Sequence, residues 1–489
     1  MGRWKPPLGR QLPRDADAGA TPEKKGISVT AATEQKLENY AESFSRFEKL
    51  AAGHDVAWLQ NLRRNALARF CEVGFPSTGV EDWRFTNVSA IAEARFQLAR
   101  DGSSEISREQ IEQCLPATRT CALVFINGRF SRQHSSVESL PAGLTISSLS
   151  GQIRQNPGSL EPHLGRYLNL QRDPFCALNT AFLEDGAYVR AAKNVVAPDP
   201  IYLLFVSIGD KDLVMSHPRN LIIAESGSEI DVVEDYMSLD GSVEFCNSAT
   251  ELIANENATV SHYRIERHNT RSFNTSTLRI QQARTANVAS HSILIGGALV
   301  RNNVHPVLAG EGGECLINGL FIGTGRQHLD NYMLVEHAGP HCGSRQFYNG
   351  ILDDKAHGVF HGRIVVHKDA QKTDAKQTNR NVLLSDDALI DTKPQLEIFA
   401  DDVKCTHGAT IGQIEGNAIF YLRSRGIDEV SARRLLLMAF ANECLERMRE
   451  GAAREHVEKL IHEHLSRIAK IGSVEKAPRG VSETLQEAQ

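Results

Sequence analysis

A stretch of more than 200 residues, from 199 to 415, constrains the fold of this chain more than any other feature. β-Branched residues, alternating apolar positions and turn residues dominate it, and helical periodicity is missing. Similar turns start roughly 26 to 30 residues apart, at Ser226–Ile230, Glu256–Val260, Thr285–Val288 and Glu311–Cys315. A β-solenoid produces such recurrence, because each coil repeats one unit on its neighbour. An all-β sandwich also has short, evenly spaced strands, but one this long is uncommon, so the pattern favours a solenoid.

Amphipathic helices are predicted on both sides of this stretch. Before it, Tyr40, Phe44 and Phe47 recur at spacings of three and four, which is typical of a helix face. After it, Asp428 is a predicted helix N-cap, and Gly451 separates two amphipathic segments. Within the stretch, apolar runs predict strands at Asn220–Ala224, Ile230–Val233, Val260–Ile265, Thr277–Ile280, Ser290–Leu294, Cys315–Ile322, Tyr332–Glu336, Phe360–Val366 and Leu396–Phe399.

The predicted organisation has five parts. They are a disordered extension at 1–32, an N-terminal helical and mixed domain at 33–190, a β-solenoid core at 191–418, a C-terminal helical domain at 419–471 and a flexible tail at 472–489. The extension is rich in proline, glycine, alanine and charge, which does not support a packed core.

Charge and cysteine content narrow the class of protein. The net charge of −6 and the pI of about 6.3 argue against a protein that tracks nucleic-acid phosphates. There is no run of about eighteen apolar residues, so no membrane helix is expected. The nine cysteines are scattered without a CxxC pair, which fits a reducing compartment. We therefore predict a cytoplasmic protein.

The sequence lacks the common signatures of catalysis. It contains no G-x-x-x-x-G-K-[ST] loop, so ATP binding through a P-loop is not expected. It also contains no HExxH, no G-x-S-x-G and no G-x-G-x-x-G after a strand. A conventional hydrolase or dehydrogenase is therefore unsupported.

Three groups of histidine and cysteine remain as candidate ligands. Cys405 and His407 lie two residues apart, so on a strand they would present a thiol and an imidazole on one face. Such donors suit iron, zinc or cuprous copper, but two ligands make only half a site. The other two groups contain His337, His341, Cys342, His357 and His361. These residues are candidate ligands too, but they can equally be structural residues that make hydrogen bonds.

Several motifs of this chain resemble the SufD family, a branch of the SufB/SufD superfamily of iron–sulfur cluster assembly proteins. The closest resemblance covers Ala400–Gln413 and Phe420–Ile427, and the whole resemblance runs from about residue 37 to 470. Further similar segments are Gly74–Pro76, Glu81–Thr86, Pro174–Ala181, Gly362–Val366 and Gln377–Asn381. The resemblance implies a mainly β fold, with a right-handed parallel β-helix between N-terminal and C-terminal helical domains.

The resemblance implies a scaffold rather than an enzyme. SufD-like proteins pair with SufB through their β-helices, and each scaffold subunit binds one SufC, an ABC-type ATPase, through its C-terminal helices. The missing P-loop agrees with ATP hydrolysis by SufC. The resemblance also admits a reduced flavin in the complex and a homodimer of the isolated chain. Residues expected to supply apolar contacts in the SufC-binding region are Leu435, Leu436, Phe440, Leu460 and Ile461.

The resemblance also implies roles for His407 and Cys405 at the interface with SufB, where a transient iron–sulfur cluster or iron would be held. His407 matches the SufD histidine implicated in assembly, and Cys405 matches a nearby family cysteine. SufB, the alternative paralogue, has His-Glu-Ala-Thr where this chain has His407-Gly-Ala-Thr410. SufB also has a cysteine in the segment corresponding to Gln377–Asn381, where this chain has none. The main thiolate is therefore expected from the partner.

Two enzyme classes are the rival interpretations. A solenoid enzyme acting on polysaccharide needs paired carboxylates, and Asp386-Asp387 and Asp401-Asp402 are available. Neighbouring strand residues point to opposite faces, so neither pair forms a good dyad. A self-sufficient metal-dependent enzyme would use His337, His341 and Cys342.

Overall fold

The computed structural model describes residues 31–471, except 100, 101, 103–105, 117, 118, 120, 138, 139 and 210–212. The predicted tail at 472–489 and all but the last two residues of the predicted extension at 1–32 lie outside the described residues. In the described part of the chain, no helix is long and apolar enough to cross a membrane.

Helices lie on both sides of a long series of strands in the described residues. The helices are α1 (Ala31–Leu50), α2 (Ala57–Val73), α3 (Ser89–Glu93), α4 (Arg108–Glu112), α5 (Leu149–Gln155), α6 (Pro174–Ala181), α7 (Gly416–Ser424), α8 (Glu429–Leu445) and α9 (Ala452–Ile471). Short 3₁₀ turns lie at Glu81–Trp83 and Pro157–Ser159.

The strands begin within the N-terminal part and continue to residue 412. The first ten are β1 (Gln97–Leu98), β2 (Cys121–Ile126), β3 (Arg129–Phe130), β4 (Ser136–Val137), β5 (Leu144–Ser148), β6 (Ala187–Ala191), β7 (Ile201–Ser207), β8 (Val214–Ser216), β9 (Arg219–Ala224) and β10 (Glu229–Ser238). They are followed by β11 (Glu244–Ala254), β12 (Thr259–Arg267), β13 (Phe273–Gln282), β14 (Asn287–Leu294), β15 (Leu299–Leu308), β16 (Glu314–Gly323), β17 (His328–His337), β18 (Gly343–Leu352), β19 (His357–Val366), β20 (Asp374–Leu383), β21 (Leu389–Ile398) and β22 (Lys404–Gly412).

From β9 onward the strands alternate between two sheets and pair in parallel with the next strand of the same sheet, whereas β8 joins the first sheet beside β11. The first sheet has the order β21-β19-β17-β15-β13-β11-β9-β6-β5, and the second has the order β22-β20-β18-β16-β14-β12-β10-β7-β2-β3. Partners on successive strands of one sheet are 26 residues apart at Phe273–Leu299 and 32 apart at His357–Leu389. Each coil therefore contributes one strand to each sheet. The predicted mainly β class and parallel solenoid are confirmed, with about seven turns.

The space between the two sheets forms one continuous core, because inward positions stack in register from coil to coil. Ile364 on β19 and Tyr348 on β18 belong to this core. The outer faces are covered separately. The N-terminal helices pack Phe70, Trp83 and Phe175 on the first sheet, whereas α8 and α9 cover the second sheet.

The two ends of the solenoid differ. At the N-terminal end, β3 and β4 pair with β2 in antiparallel orientation, and β5 pairs with β6 in the same way. At the C-terminal end, β21 and β22 are the last strands of their sheets in the described chain. In the described chain, one edge of β21 and one edge of β22 therefore have no neighbouring strand. The candidate site lies at this C-terminal end.

The C-terminal helices are fixed on the outer face of the second sheet by buried apolar side chains and by polar contacts. Asp428 caps α8 by accepting a hydrogen bond from the Ser431 backbone N–H at 2.9 Å, as predicted. Asn318 donates to the carbonyl of Cys444 at 2.9 Å, and Asn349 donates to the carbonyl of Phe440 at 2.9 Å. The two asparagine bonds fix α8 to strands β16 and β18.

A buried ion pair within the first sheet also bonds to the N-terminal part, and its loss should lower the stability of the fold. Arg219 and Glu251 contact at 2.6 Å with neither side chain exposed, and Glu251 also accepts from the backbone N–H groups of Gly165 and Tyr167. Glu251→Ala leaves the Arg219 charge without its partner. We expect it to lower the free energy of unfolding by about 3–5 kcal/mol, measured by urea unfolding.

An exposed ion pair supplies the matched control. Glu256 pairs with Arg284, and both side chains are roughly half exposed. Glu256→Ala should change the free energy of unfolding by about 0–1 kcal/mol, because water screens such pairs. Equal effects of the two substitutions would contradict a structural role for the buried pair.

Candidate functional site

The open end of the solenoid, formed by β21 and β22, is an unusual surface for a folded chain. β22 pairs with β20 on one side, and β21 pairs with β19. Along their other edges, backbone N–H and C=O groups can accept another strand. Proteins usually cover or interrupt such edges, so an extended open edge indicates a docking surface.

Cys405 and His407 both lie on β22 and face the interior side of this last coil. Their register partners on β20 are Ala375 and Gln377, of which Ala375 belongs to the buried core. The structure therefore brings the two predicted site residues onto one face. Cys405 is half-buried against the core, whereas His407 is exposed because no further coil of the described chain covers it.

The environment of Cys405 does not favour a reactive thiolate in the isolated chain. Burial raises the pKa of the Cys405 thiol above its ordinary value. Because the thiolate is the metal ligand and the nucleophile, a protonated Cys405 is a weak donor by itself. The arrangement thus places an accessible imidazole beside a thiol whose pKa is raised.

A polar layer lies directly beneath His407. The Gln377 side chain donates to the Gln346 side chain at 2.8 Å, and both residues are buried. The Gln377 carbonyl oxygen has no hydrogen-bond partner among the described residues. Gly362 makes room for this amide, since an added Cβ would lie 2.2 Å from the Gln377 nitrogen. The floor of the open end is therefore polar, while its rim is apolar.

Exposed apolar side chains lie on the last strands at the open end and on the helices that follow them, and sequence reasoning missed those on the strands. Ile411 on β22 is 51% exposed, and Phe399 after β21 is 61% exposed. On the following helices, Phe420 and Tyr421 of α7 and Val430 of α8 are also exposed. An apolar rim around polar groups is typical of a protein–protein interaction site. The sequence did contain one signal for Ile411, because side chains two residues apart on a strand share a face and Ile411 therefore shares the face of Cys405 and His407.

The other histidine and cysteine groups do not converge. His337 faces the core and contacts the Ser344 hydroxyl at 2.8 Å, and burial lowers the pKa of His337 to about 4. Cys342 is buried, whereas His341 is exposed in a turn. His357 contacts Asp391 on the outer face. The described residues hold no group of three or more His, Cys, Asp or Glu side chains placed for a metal ion.

His361 and the predicted carboxylate pairs also have local roles. His361 contacts the Gln395 side chain at 2.7 Å on the outer face of the first sheet. Asp386-Asp387 and Asp401-Asp402 lie exposed in turns between strands, where Asp402 pairs with Lys372. The described structure therefore gives neither rival enzyme class an assembled set of catalytic side chains.

The predicted SufC-binding residues do not share one surface. Ile461 on α9 is buried against the second sheet, and Phe440 and Leu460 are partly buried there. Leu435 on α8 is 48% exposed, and Leu436 is half-buried. Ile461 thus packs α9 on the solenoid, whereas Leu435 of α8 stays accessible.

Comparisons with known proteins agree with this architecture. The family model described as SUF system FeS cluster assembly, SufBD core domain, matches residues 205–440, and the SufBD protein N-terminal region matches residues 34–203. An iron–sulfur cluster assembly SufBD family protein of Synechocystis sp. is 33% identical over 82% of this chain and 90% of its own length. The iron–sulfur cluster assembly protein SufD of Escherichia coli is 30% identical over 80% and 89%, and that of Bacillus subtilis is 24% identical over 82% and 92%.

The solenoid, its helical flanks and these matches define a scaffold of iron–sulfur cluster assembly. The chain belongs to the SufBD family. The resemblance to SufD proteins found at Ala400–Gln413 and Phe420–Ile427 is thereby confirmed.

Proposed function

We propose that this chain is the SufD-type scaffold subunit of a SufB–SufC–SufD complex and is not itself an enzyme. The observation that carries the proposal is the open C-terminal end of the solenoid, where β21 and β22 end their sheets. This edge is long, with ten residues in β21 and nine in β22. Its natural occupant is a chain with two matching edge strands, as a related solenoid such as SufB provides.

Pairing with SufB would place Cys405 and His407 inside a shared interface. The exposed imidazole of His407 can bind iron or hydrogen-bond a persulfide. The raised pKa of Cys405 assigns it a secondary part, since a thiolate from SufB is the stronger ligand. Iron and cysteine-derived sulfur are the cargo that would meet there, and the cluster would be transient.

SufC would bind the surface of α7 and α8 that faces away from the solenoid. Leu435, Phe420 and Tyr421 are exposed apolar side chains on these helices. Because α8 is bonded to β16 and β18 through Asn318 and Asn349, movement of the helix would be transmitted to the sheet. ATP hydrolysis by SufC would thus rearrange the paired solenoids and open the interface around His407.

The test of this function is co-expression with SufB and SufC. We expect one species containing all three proteins, resolved by size-exclusion chromatography and native mass spectrometry. Since each scaffold subunit would bind one ATPase, two SufC copies are expected for each SufB and each copy of this chain. Recovery of only separate chains would contradict the proposal.

Leu435→Asp should affect the binding of SufC and not the binding of SufB. The substitution places a carboxylate on an exposed site, so folding should be retained, but burying that charge against SufC would be costly. We expect SufC binding to weaken by about tenfold or more, while SufB remains bound. Glu446→Asp, at another exposed position near the end of α8, is the control and should bind SufC normally. Undiminished SufC binding by Leu435→Asp would exclude this surface.

A further inference from the structure

A short segment of the N-terminal part, residues 80–86, crosses the outer face of the first sheet and reaches its last strand. One end of the segment is fixed on β17, where the Thr86 hydroxyl and the His328 ring nitrogen are 2.9 Å apart. The other end lies at the open end of the solenoid, where Glu81 accepts a hydrogen bond from Lys393 of β21 at 2.7 Å. The segment therefore bridges β17 and the last strand of this sheet in the described chain.

The middle of the segment is held firmly on the sheet. The Trp83 side chain is buried, and the guanidinium of Arg301 on β15 lies 4.3 Å from the centroid of its ring. The same guanidinium donates to the backbone carbonyl of Asp82 at 2.8 Å. Glu81–Trp83 form a 3₁₀ turn, so the backbone at Glu81 is fixed as well. Contacts deeper in the solenoid therefore set the position of Glu81 at the edge.

Val80 and Glu81 have little cover at this edge. Val80 is 48% exposed, and the Glu81 side chain is 73% exposed. The hydrogen bond and charge of Lys393, with smaller contributions from His361 and Arg363 of β19, lower the pKa of Glu81. Glu81 thus lies over the last two strands of the sheet. A strand added to β21 would lie about 4.8 Å beyond it, within reach of both residues.

The charge around Glu81 favours a basic neighbour. Residues 385–404, which include β21 and the turns on both sides of it, contain six carboxylates and two lysines. Three of these carboxylates pair with cations of the preceding coil, and a fourth contacts a histidine. Glu81 and Asp82 add two further carboxylates. The carboxylates outnumber the basic side chains even when both nearby histidines are counted as charged, the basic set being Lys355, His357, His361, Arg363, Lys372, Lys393 and Lys404.

We propose that Val80 and Glu81 form a second contact to the partner solenoid, and that the partner places a lysine or arginine there. This inference rests on the proposed pairing of SufB with β21 and β22. An added strand would continue the sheet beneath the two residues, so its outward side chains would meet them. Glu81 would accept a hydrogen bond from the basic side chain, and Val80 would cover its aliphatic stem.

This contact would also set the register of the added strand. A shift of the strand by one residue turns its outward side chains to the opposite face of the sheet. The basic side chain would then leave Glu81 and enter the core. Correct register is therefore favoured by a residue that comes from the N-terminal part and not from the strands themselves.

The affinity of the full chain for SufB, measured by surface plasmon resonance at low and high salt, tests this contact. Glu81→Gln should weaken binding by about fivefold at low salt, mainly through slower association, because it removes an attractive charge at the rim of the interface. The difference should shrink at high salt, which screens the charge. Glu93→Gln removes an equally negative, exposed side chain on α3 and should bind as the unmodified chain does.

Lys393→Gln tests the sign of the charge effect. It removes the internal partner of Glu81 and a positive charge beside the incoming basic side chain, so binding should become about twofold tighter. If Glu81 and Lys393 only tie the segment to β21, both variants should instead weaken binding equally. That outcome, or unchanged affinity in Glu81→Gln, would overturn this contact and leave the pairing with SufB intact. Failure of the unmodified chain to bind SufB would overturn both.

Discussion

Ile411→Glu will leave this chain folded but unable to pair with SufB. Ile411 is half exposed at the open end of the solenoid, so glutamate there remains solvated in the isolated chain. Pairing would bury the carboxylate among apolar rim residues, at a cost of several kcal/mol. We expect the affinity for SufB to fall by about 100-fold or more, measured by calorimetry or by surface plasmon resonance.

The matched control for Ile411→Glu lies at the opposite end of the solenoid. Val137 on β4 is also an exposed apolar residue, and β4 pairs with β2 at the N-terminal end of the solenoid. Val137→Glu introduces the same charge and should pair with SufB normally. Equal loss of affinity in both variants would assign the effect to charge in general rather than to the open end.

His407→Ala will reduce the iron and sulfide content of the intact complex by about tenfold, the scale seen when a metal site loses an important group. His407 is exposed in the isolated chain, so its loss should change folding and complex formation little. Cys405→Ala should have a smaller effect, because burial raises the pKa of that thiol and, in the proposed complex, SufB would supply the main thiolate. Iron and sulfide are measured per intact complex, beside a melting curve.

A structural role for His407 predicts a different pattern. Loss of a buried hydrogen bond at the assembled interface would cost about 1–3 kcal/mol. The complex would then melt early but carry a normal cluster load per folded complex. His341→Ala removes another exposed histidine, in a turn of the solenoid, and serves as the control with normal load and stability.

The solenoid was predictable because its turns carry a period. The apolar runs Cys315–Ile322 and Val260–Ile265 were predicted as strands, and both lie within observed strands. By contrast, β11 and β20 were missed, since their outward and inward positions are both rich in polar residues such as Asn247 and Gln377. Their strand conformation is imposed by ladder bonds to neighbouring coils, and such tertiary effects override local pattern.

The candidate site was predictable only in part. The spacing of Cys405 and His407 correctly placed both on one strand face, because side chains alternate along a strand. Their exposure depends on β22 being the last strand of its sheet, which no local motif encodes. Likewise, helical periodicity marked Leu435 and Ile461 equally, and packing on the second sheet alone distinguishes the exposed side chain from the buried one.

Hydrogen exchange of this chain, alone and with SufB, tests most directly whether the open end is the pairing surface. In the isolated chain, alternate backbone amides of β22 point away from β20 and should exchange rapidly. Addition of SufB should protect the amides of Lys404–Gly412 and Leu389–Ile398, while the amides of β2 at the N-terminal end of the solenoid keep their exchange rates. Protection elsewhere with unchanged exchange across Lys404–Gly412 would contradict pairing through this edge.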